Sequence, residues 1–149
     1  MVPVHVRRLG RTSYSDAHAL QQELLTARLD GTVPDTLLLT EHERVVTLGR
    51  GSPRGAQGDT TLPVFEVERG GEATWHGPGQ LVAYPILLLP ETRRDLHRYL
   101  RDLEEVVIGV LADHGVRGTR VEGRTGVWTS GRKLSSIGVA VRRWTTWHG

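Results

Sequence analysis

Residues 69–81, RGGEATWHGPGQL, hold the densest set of groups able to do chemistry: a guanidinium at Arg69 and an imidazole at His76 among Gly70, Gly71, Gly77 and Gly79. Glycine takes positive φ without penalty and lets a ligand lie against the main chain. With apolar, strand-like runs on both sides, the segment reads as a ligand-binding loop rather than a plain turn. A second point of interest is Lys133, the one lysine among nineteen basic residues, in SGRKLSSIG. Lysine kept in an arginine-rich chain suits a role needing a compact ammonium beside a reactive group, which arginine's broad fork fills poorly.

Several other chemistries are excluded by pattern. The glycines do not form a GxxxxGK[ST] phosphate loop, and no HExxH or GxSxG occurs. The seven histidines are scattered, so no metal-ligand set is assigned; His42, between Glu41 and Glu43, reads as a polar strand end. There is no cysteine, which removes disulfides, zinc thiolates and thiol catalysis by these residues. The N-terminal MVPVHVRRLGR lacks the apolar core of a signal peptide, and no run is long enough to span a membrane. A cytoplasmic protein with no membrane partner is expected.

These residues must be positioned by an α/β (α+β) fold. Ser13 or Ser15 can cap a helix to about Leu29, with Ala17, Leu20, Leu24 and Leu25 on one face and Gly31 as a stop. Strands are expected at 36–40, 44–48, 64–67 and 81–89. Leu96, Leu100, Leu103, Val107, Val110 and Leu111 recur at helical spacing, giving a helix over 92–114 with Gly115 at its end. Strands return at 126–129 and at 133–141, the latter running on to Trp147, with Ser130-Gly131 as a hairpin turn. The β-type pattern continues to the last residue. At 149 residues and 38% hydrophobic content this is expected to be a single domain.

The formal charge is +2. Arginines at 93, 94, 98 and 101 and at 117, 120 and 124 make patches suited to an acidic partner. No nucleic-acid motif accompanies them and interleaved aromatics are few, so nucleic acid is not expected.

RGGEATWHGPGQLVAYPIL, preceded by LLLTEHERVVTLGR and followed by TGVWTSGRKLSSIGVAVRRWTTWHG, resembles the lipoyl(octanoyl) transferase family from near Tyr14 to the last residue. HGPGQ is its most specific element. The resemblance implies a mixed sheet with flanking helices, as in the biotin/lipoate protein ligase catalytic domain, and one domain over 1–149 lacking its C-terminal part. It implies transfer of an octanoyl or lipoyl group from acyl carrier protein through a cysteine thioester to lysines of the lipoyl domains of 2-oxoacid dehydrogenases and of glycine cleavage H protein, in lipoate biosynthesis.

On that resemblance the substrate is bound by Arg69, Gly70, Gly71, Glu72, Ala73, Thr74, Trp75 and His76, by Ser136, Ile137 and Gly138, and by Gly149. Lys133 lowers the pKa of the catalytic thiol, and no cofactor or metal is implied. The family's cysteine lies beyond the HG matched by His148 and Gly149, so the chain reads as C-terminally truncated and inactive in turnover. Two other readings stay open: an ATP-dependent lipoate or biotin ligase-like enzyme, and a non-catalytic module binding an acyl chain or carrier.

Overall fold

A computed structural model describes residues 3–149; Met1 and Val2, part of the N-terminal stretch discussed above, lie outside the described residues. In chain order the elements are β1 His5–Thr12, α1 Tyr14–Leu29, β2 Thr36–His42, β3 Val45–Leu48, β4 Val64–Glu66, β5 Ala73–His76, β6 Val82–Ile86, a 3-10 turn Glu91–Arg93, α2 Leu96–Asp113, β7 Val127–Thr129, β8 Arg132–Ser135, β9 Val139–Arg142 and β10 Thr145–His148. They divide into two units: residues 3–89 with Gly138–Gly149, and Pro90–Ile137. Among the described residues, no helix is long and apolar enough to cross a membrane.

The pairing is mixed, as the sequence implied. In the first unit β2 lies between β1, parallel to it, and β6, antiparallel to it. A second sheet centres on β3, with β4 parallel and β5 antiparallel. β9 and β10 form a hairpin whose tip, Arg143 and Trp144, takes φ of 47° and 64°. Two successive positive φ values match a primed hairpin turn, whose twist suits the strands it joins.

α1 begins where the sequence places it. The Ser13 side chain accepts the Asp16 N–H at 3.1 Å, satisfying a backbone donor that the first helical turn leaves orphaned. Ala17, Leu24 and Leu25 then pack with Leu38, Val82, Tyr84, Ile86 and Trp147 into the main core, while Leu20 is partly buried against it. A smaller cluster joins Tyr14, Val45 and Val67, with Phe65 against them.

Three differences from the sequence reading have local causes. β1 was not anticipated, because HVRRLGRT is arginine-rich and mostly exposed; parallel pairing with β2 recruits it. The expected strand over 133–141 is broken between Ser135 and Val139, and its halves fall in different units. The second helix starts at Leu96 rather than 92, because the Asp95 carboxylate accepts the Arg98 N–H at 3.1 Å and fixes the cap there.

In the second unit β7 and β8 form the expected hairpin, with Ser130 and Gly131 at φ 47° and 74°. Glu104 of α2 is fully buried. Its Oε2 stands 2.9 Å from Arg101 Nη1 and 3.0 Å from Arg120 Nε, and its Oε1 accepts the Gly126 N–H at 2.9 Å. A buried carboxylate persists only with its lone pairs filled in this way. Glu104→Ala is expected to destabilise by about 2 kcal/mol, the scale of hydrogen bonds to a charged group. Denaturant unfolding of both chains, followed by tryptophan fluorescence, would check it; an unchanged midpoint refutes the role.

Candidate active site

The site is organised around Arg69, which is 7% exposed. Its Nη1 donates to the carbonyls of Gly70 (3.0 Å) and Glu72 (2.9 Å), and its Nη2 to the Thr47 carbonyl (3.0 Å) and Oγ1 (2.7 Å). Burying this charge is tolerable because the oxygens replace water at the guanidinium. The turn over 69–72 is therefore wound around its own arginine. What the sequence suggested as one loop over 69–81 is two turns separated by β5, which zips onto β3 from Val45↔His76 to Leu48↔Ala73.

Three sequence-selected residues meet at that turn. The Gly70 N–H donates to the Val139 carbonyl at 3.0 Å, and the Gly138 N–H to the Gly149 carbonyl at 2.9 Å. A Cβ on Gly138 would stand 2.7 Å from the Gly70 carbonyl oxygen and 3.2 Å from Arg69 Cδ, so only glycine permits this approach. Gly71 takes φ of +80°, which turns its carbonyl to accept the Gly51 N–H at 2.9 Å. Glu72, Ala73 and Trp75 are exposed and Thr74 is half-buried.

Lys133, Ser136 and Ile137 belong to the second unit. Lys133 sits on β8 just past the turn, as expected, exposed, with Nζ 5.2 Å from the centroid of the Trp128 ring. The cation lies over an aromatic face within attractive range. A Cβ on Gly126 would come 2.7 Å from Lys133 Cε, so that glycine leaves room for the lysine stem. Ser136 is exposed and Ile137 half-buried. The arginine patches are partly engaged internally: Arg101 and Arg120 contact Glu104, Arg120 also reaches Glu105 at 2.6 Å, and Arg93 stands 3.5 Å from Asp102.

His76 closes a directed hydrogen-bond chain. The Gln80 amide nitrogen donates to the Trp75 carbonyl at 3.1 Å, so Gln80 Oε1 is the atom facing His76 Nδ1 at 2.6 Å. Nδ1 must then carry the proton, leaving Nε2 as acceptor, 3.2 Å from Thr47 Oγ1. Thr47 Oγ1 already accepts from Arg69, so its own hydrogen is available to His76. Burial pushes the His76 pKa down to about 4, against the opposing Gln80 bond. The imidazole is neutral, as the chain requires.

A second histidine lies beside it. The His42 and His76 rings meet edge to face with centroids 5.8 Å apart, and the Tyr14 ring packs near-parallel to His76. His42 ends β2 as expected, but it is wholly buried, with Nε2 2.6 Å from the Tyr84 hydroxyl. Burial drives the Tyr84 pKa upward, which keeps the hydroxyl a donor. Thr47, Tyr84 and Tyr14 had no sequence signal; Gln80 could have been found as the last residue of HGPGQ, four beyond His76.

Residues 13–149 match the family of the lipoyl protein ligase A/B catalytic domain. Octanoyltransferase of Geobacter metallireducens is 53% identical over 97% of this chain and 68% of its own length. The chain belongs to the octanoyltransferase family. Octanoyltransferase of Geobacter sulfurreducens is also 53% identical, over 95% of this chain and 60% of its own length, so the chain spans about two thirds or less of these relatives. A putative lipoate protein ligase from T. acidophilum with bound lipoic acid superposes with a TM-score of 0.75 at 16% identity, covering 97% of this chain and 66% of that one. At that identity the likeness speaks to the fold, and both the mixed α/β architecture and the family match the expectation from the motif blocks.

Two outcomes follow from this arrangement. The folded chain holds His76 neutral while an unfolded histidine titrates near 6.5. The unfolded state therefore takes up the proton first, and the ring's contribution to stability is full above about pH 6.5 and lost by about pH 4. The thermal midpoint should fall over that window, and His76→Gln should flatten the fall; equal slopes would sink the assignment. Gly138→Ala should destabilise by about 1–3 kcal/mol through overpacking, read as a lower denaturant midpoint.

Proposed function

We propose that this chain forms the acyl-binding part of an octanoyltransferase that moves an octanoyl or lipoyl group from acyl carrier protein to a lysine of lipoyl domains, including those of 2-oxoacid dehydrogenases and glycine cleavage H protein. The observation that carries this reading is the meeting of Gly70, Gly138 and Gly149 around the Arg69 turn, in a chain 53% identical to octanoyltransferases. In it, residues 1–149 act as one catalytic domain. Arg69 to His76, Ser136, Ile137, Gly138 and Gly149 bind the acyl group, and exposed arginines meet the acidic carriers.

The reaction proceeds in two acyl transfers. A thiolate attacks the carrier thioester carbonyl, the carrier thiolate leaves, and the acyl group rests on the enzyme's sulfur. The substrate lysine's amine then attacks that thioester, losing a proton as the enzyme thiolate departs. Lys133 favours the thiolate by its positive charge. Bare glycine backbone lets the acyl chain lie against the main chain without steric conflict. Arg69, with its donors committed to Thr47, Gly70 and Glu72, shapes the turn that receives the chain.

The nucleophile is not among these residues, since the chain has no cysteine. Residues 1–149 alone should therefore show no transfer of radiolabelled octanoate from acyl carrier protein to a lipoyl domain; turnover at an ordinary enzymatic rate would overturn the thiol route. Transfer from free octanoate that depends on ATP would identify a ligase instead. In an octanoyltransferase that carries both these residues and the cysteine, Lys133→Arg should cut kcat at least about tenfold and raise the thiol pKa, because the bulkier fork does not reproduce a compact ammonium. Unchanged turnover with unchanged thiol pKa would remove Lys133 from the mechanism.

A further inference from the structure

His18, Glu68 and His148 come from α1, from the segment just before the Arg69 turn, and from the end of β10. One ligand atom from each lies within 4.8 Å of the other two. His148 Nε2 stands 3.3 Å and His18 Nε2 3.5 Å from the same oxygen, Glu68 Oε2. The two imidazole ring centroids are 5.6 Å apart, with planes 26° from parallel. Nothing in the acyl-binding reading uses this trio.

His148 Nε2 is hydrogen-bonded to Glu68 Oε2, but the bond is long. A charge-assisted N–H···O bond closes to about 2.7–2.9 Å, shorter than either contact. His18 Nε2 is shielded from solvent and makes no hydrogen bond at all. The spacing instead suits a shared ion: two ligand atoms about 2.05 Å from a tetrahedral zinc stand about 3.3 Å apart. The neighbourhood holds His148 in place for this. Its backbone takes φ of +58°, unusual for a residue with a Cβ, and its N–H donates to Oε1 of the fully buried Gln21 at 3.0 Å.

We propose that His18, Glu68 and His148 form a binding site for a divalent transition-metal ion of the zinc class. Two imidazole nitrogens and one carboxylate oxygen supply three corners of a tetrahedron, and the fourth is left to water or a small anionic ligand. The site sits next in sequence to both Arg69 and Gly149. A bound ion therefore ties α1 to the segment that leads into the Arg69 turn and to the end of β10, and stiffens both. Sequence inspection could not find the site, because its ligands lie 50 and 80 residues apart in the chain and share no spaced motif.

The test is zinc binding to metal-free protein, measured by competition with a chromogenic chelator, with cobalt(II) as a spectroscopic substitute. One zinc per chain is expected, with visible cobalt bands of a nitrogen and oxygen site and a raised thermal midpoint. His18→Gln and Glu68→Gln, both partly exposed, should keep the far-UV circular dichroism of the parent. Each should weaken zinc binding beyond the roughly 10–100-fold cost of losing an outer-shell partner and abolish the thermal shift. His148→Gln should do the same, and since its burial endangers folding, the other two variants decide the matter. Absence of stoichiometric binding, or parental affinity in His18→Gln and Glu68→Gln, overturns the proposal.

Discussion

The guanidinium of Arg69, bonded to Thr47 and to two carbonyls of its own turn, is the interaction on which the first unit's site depends. It ties the turn over 69–72 to the central strand β3. It also sets Thr47 Oγ1 as acceptor on one side, which frees that hydroxyl's hydrogen for His76 on the other. A single buried cation thereby decides the shape of a turn and aims a hydroxyl hydrogen at a histidine whose tautomer Gln80 fixes. A lysine could not hold four such oxygens, because its three donors radiate from one nitrogen instead of spanning a planar fork.

The second unit uses the opposite charge for the same purpose. Glu104, buried on α2, gathers Arg101, Arg120 and the Gly126 N–H, and so fixes the chain on its way into the β7–β8 hairpin that carries Lys133. In both units an irregular segment is stabilised by one buried ionised side chain whose partners are mostly main-chain groups or long cations. Such segments have few apolar contacts, so the directed bonds supply their rigidity. The absence of Cβ atoms at Gly138 and Gly126 then lets neighbouring chain and the lysine stem approach to distances other residues forbid.

Much of this was legible beforehand because it is local. Ser13 as a cap, the Ser130-Gly131 turn and the amphipathic second helix follow from backbone preferences and 3.6-residue periodicity. Those act within a few residues of themselves. β1 and β5 were missed for the complementary reason: HVRRLGRT and ATWH have weak strand signals, and each becomes a strand by pairing with a neighbour already in place. Arg69 stood out in the sequence, yet its type alone could not say whether its fork would point at a ligand or fold back into its own turn.

The sequence by itself determined the family, the glycine-rich segment, the single lysine and the absence of a thiol, since residue identity and order carry all of these. Only the tertiary structure decided which donors meet which acceptors. Thr47 with His76, His42 with Tyr84, and His18 with Glu68 and His148 join positions between 29 and 130 residues apart. The physical reason is that hydrogen-bond and ligand geometry operate over about 3 Å, whereas the chain records only order. Packing of α1 against β6 and β10, a non-local and largely non-directional event, sets those final ångströms.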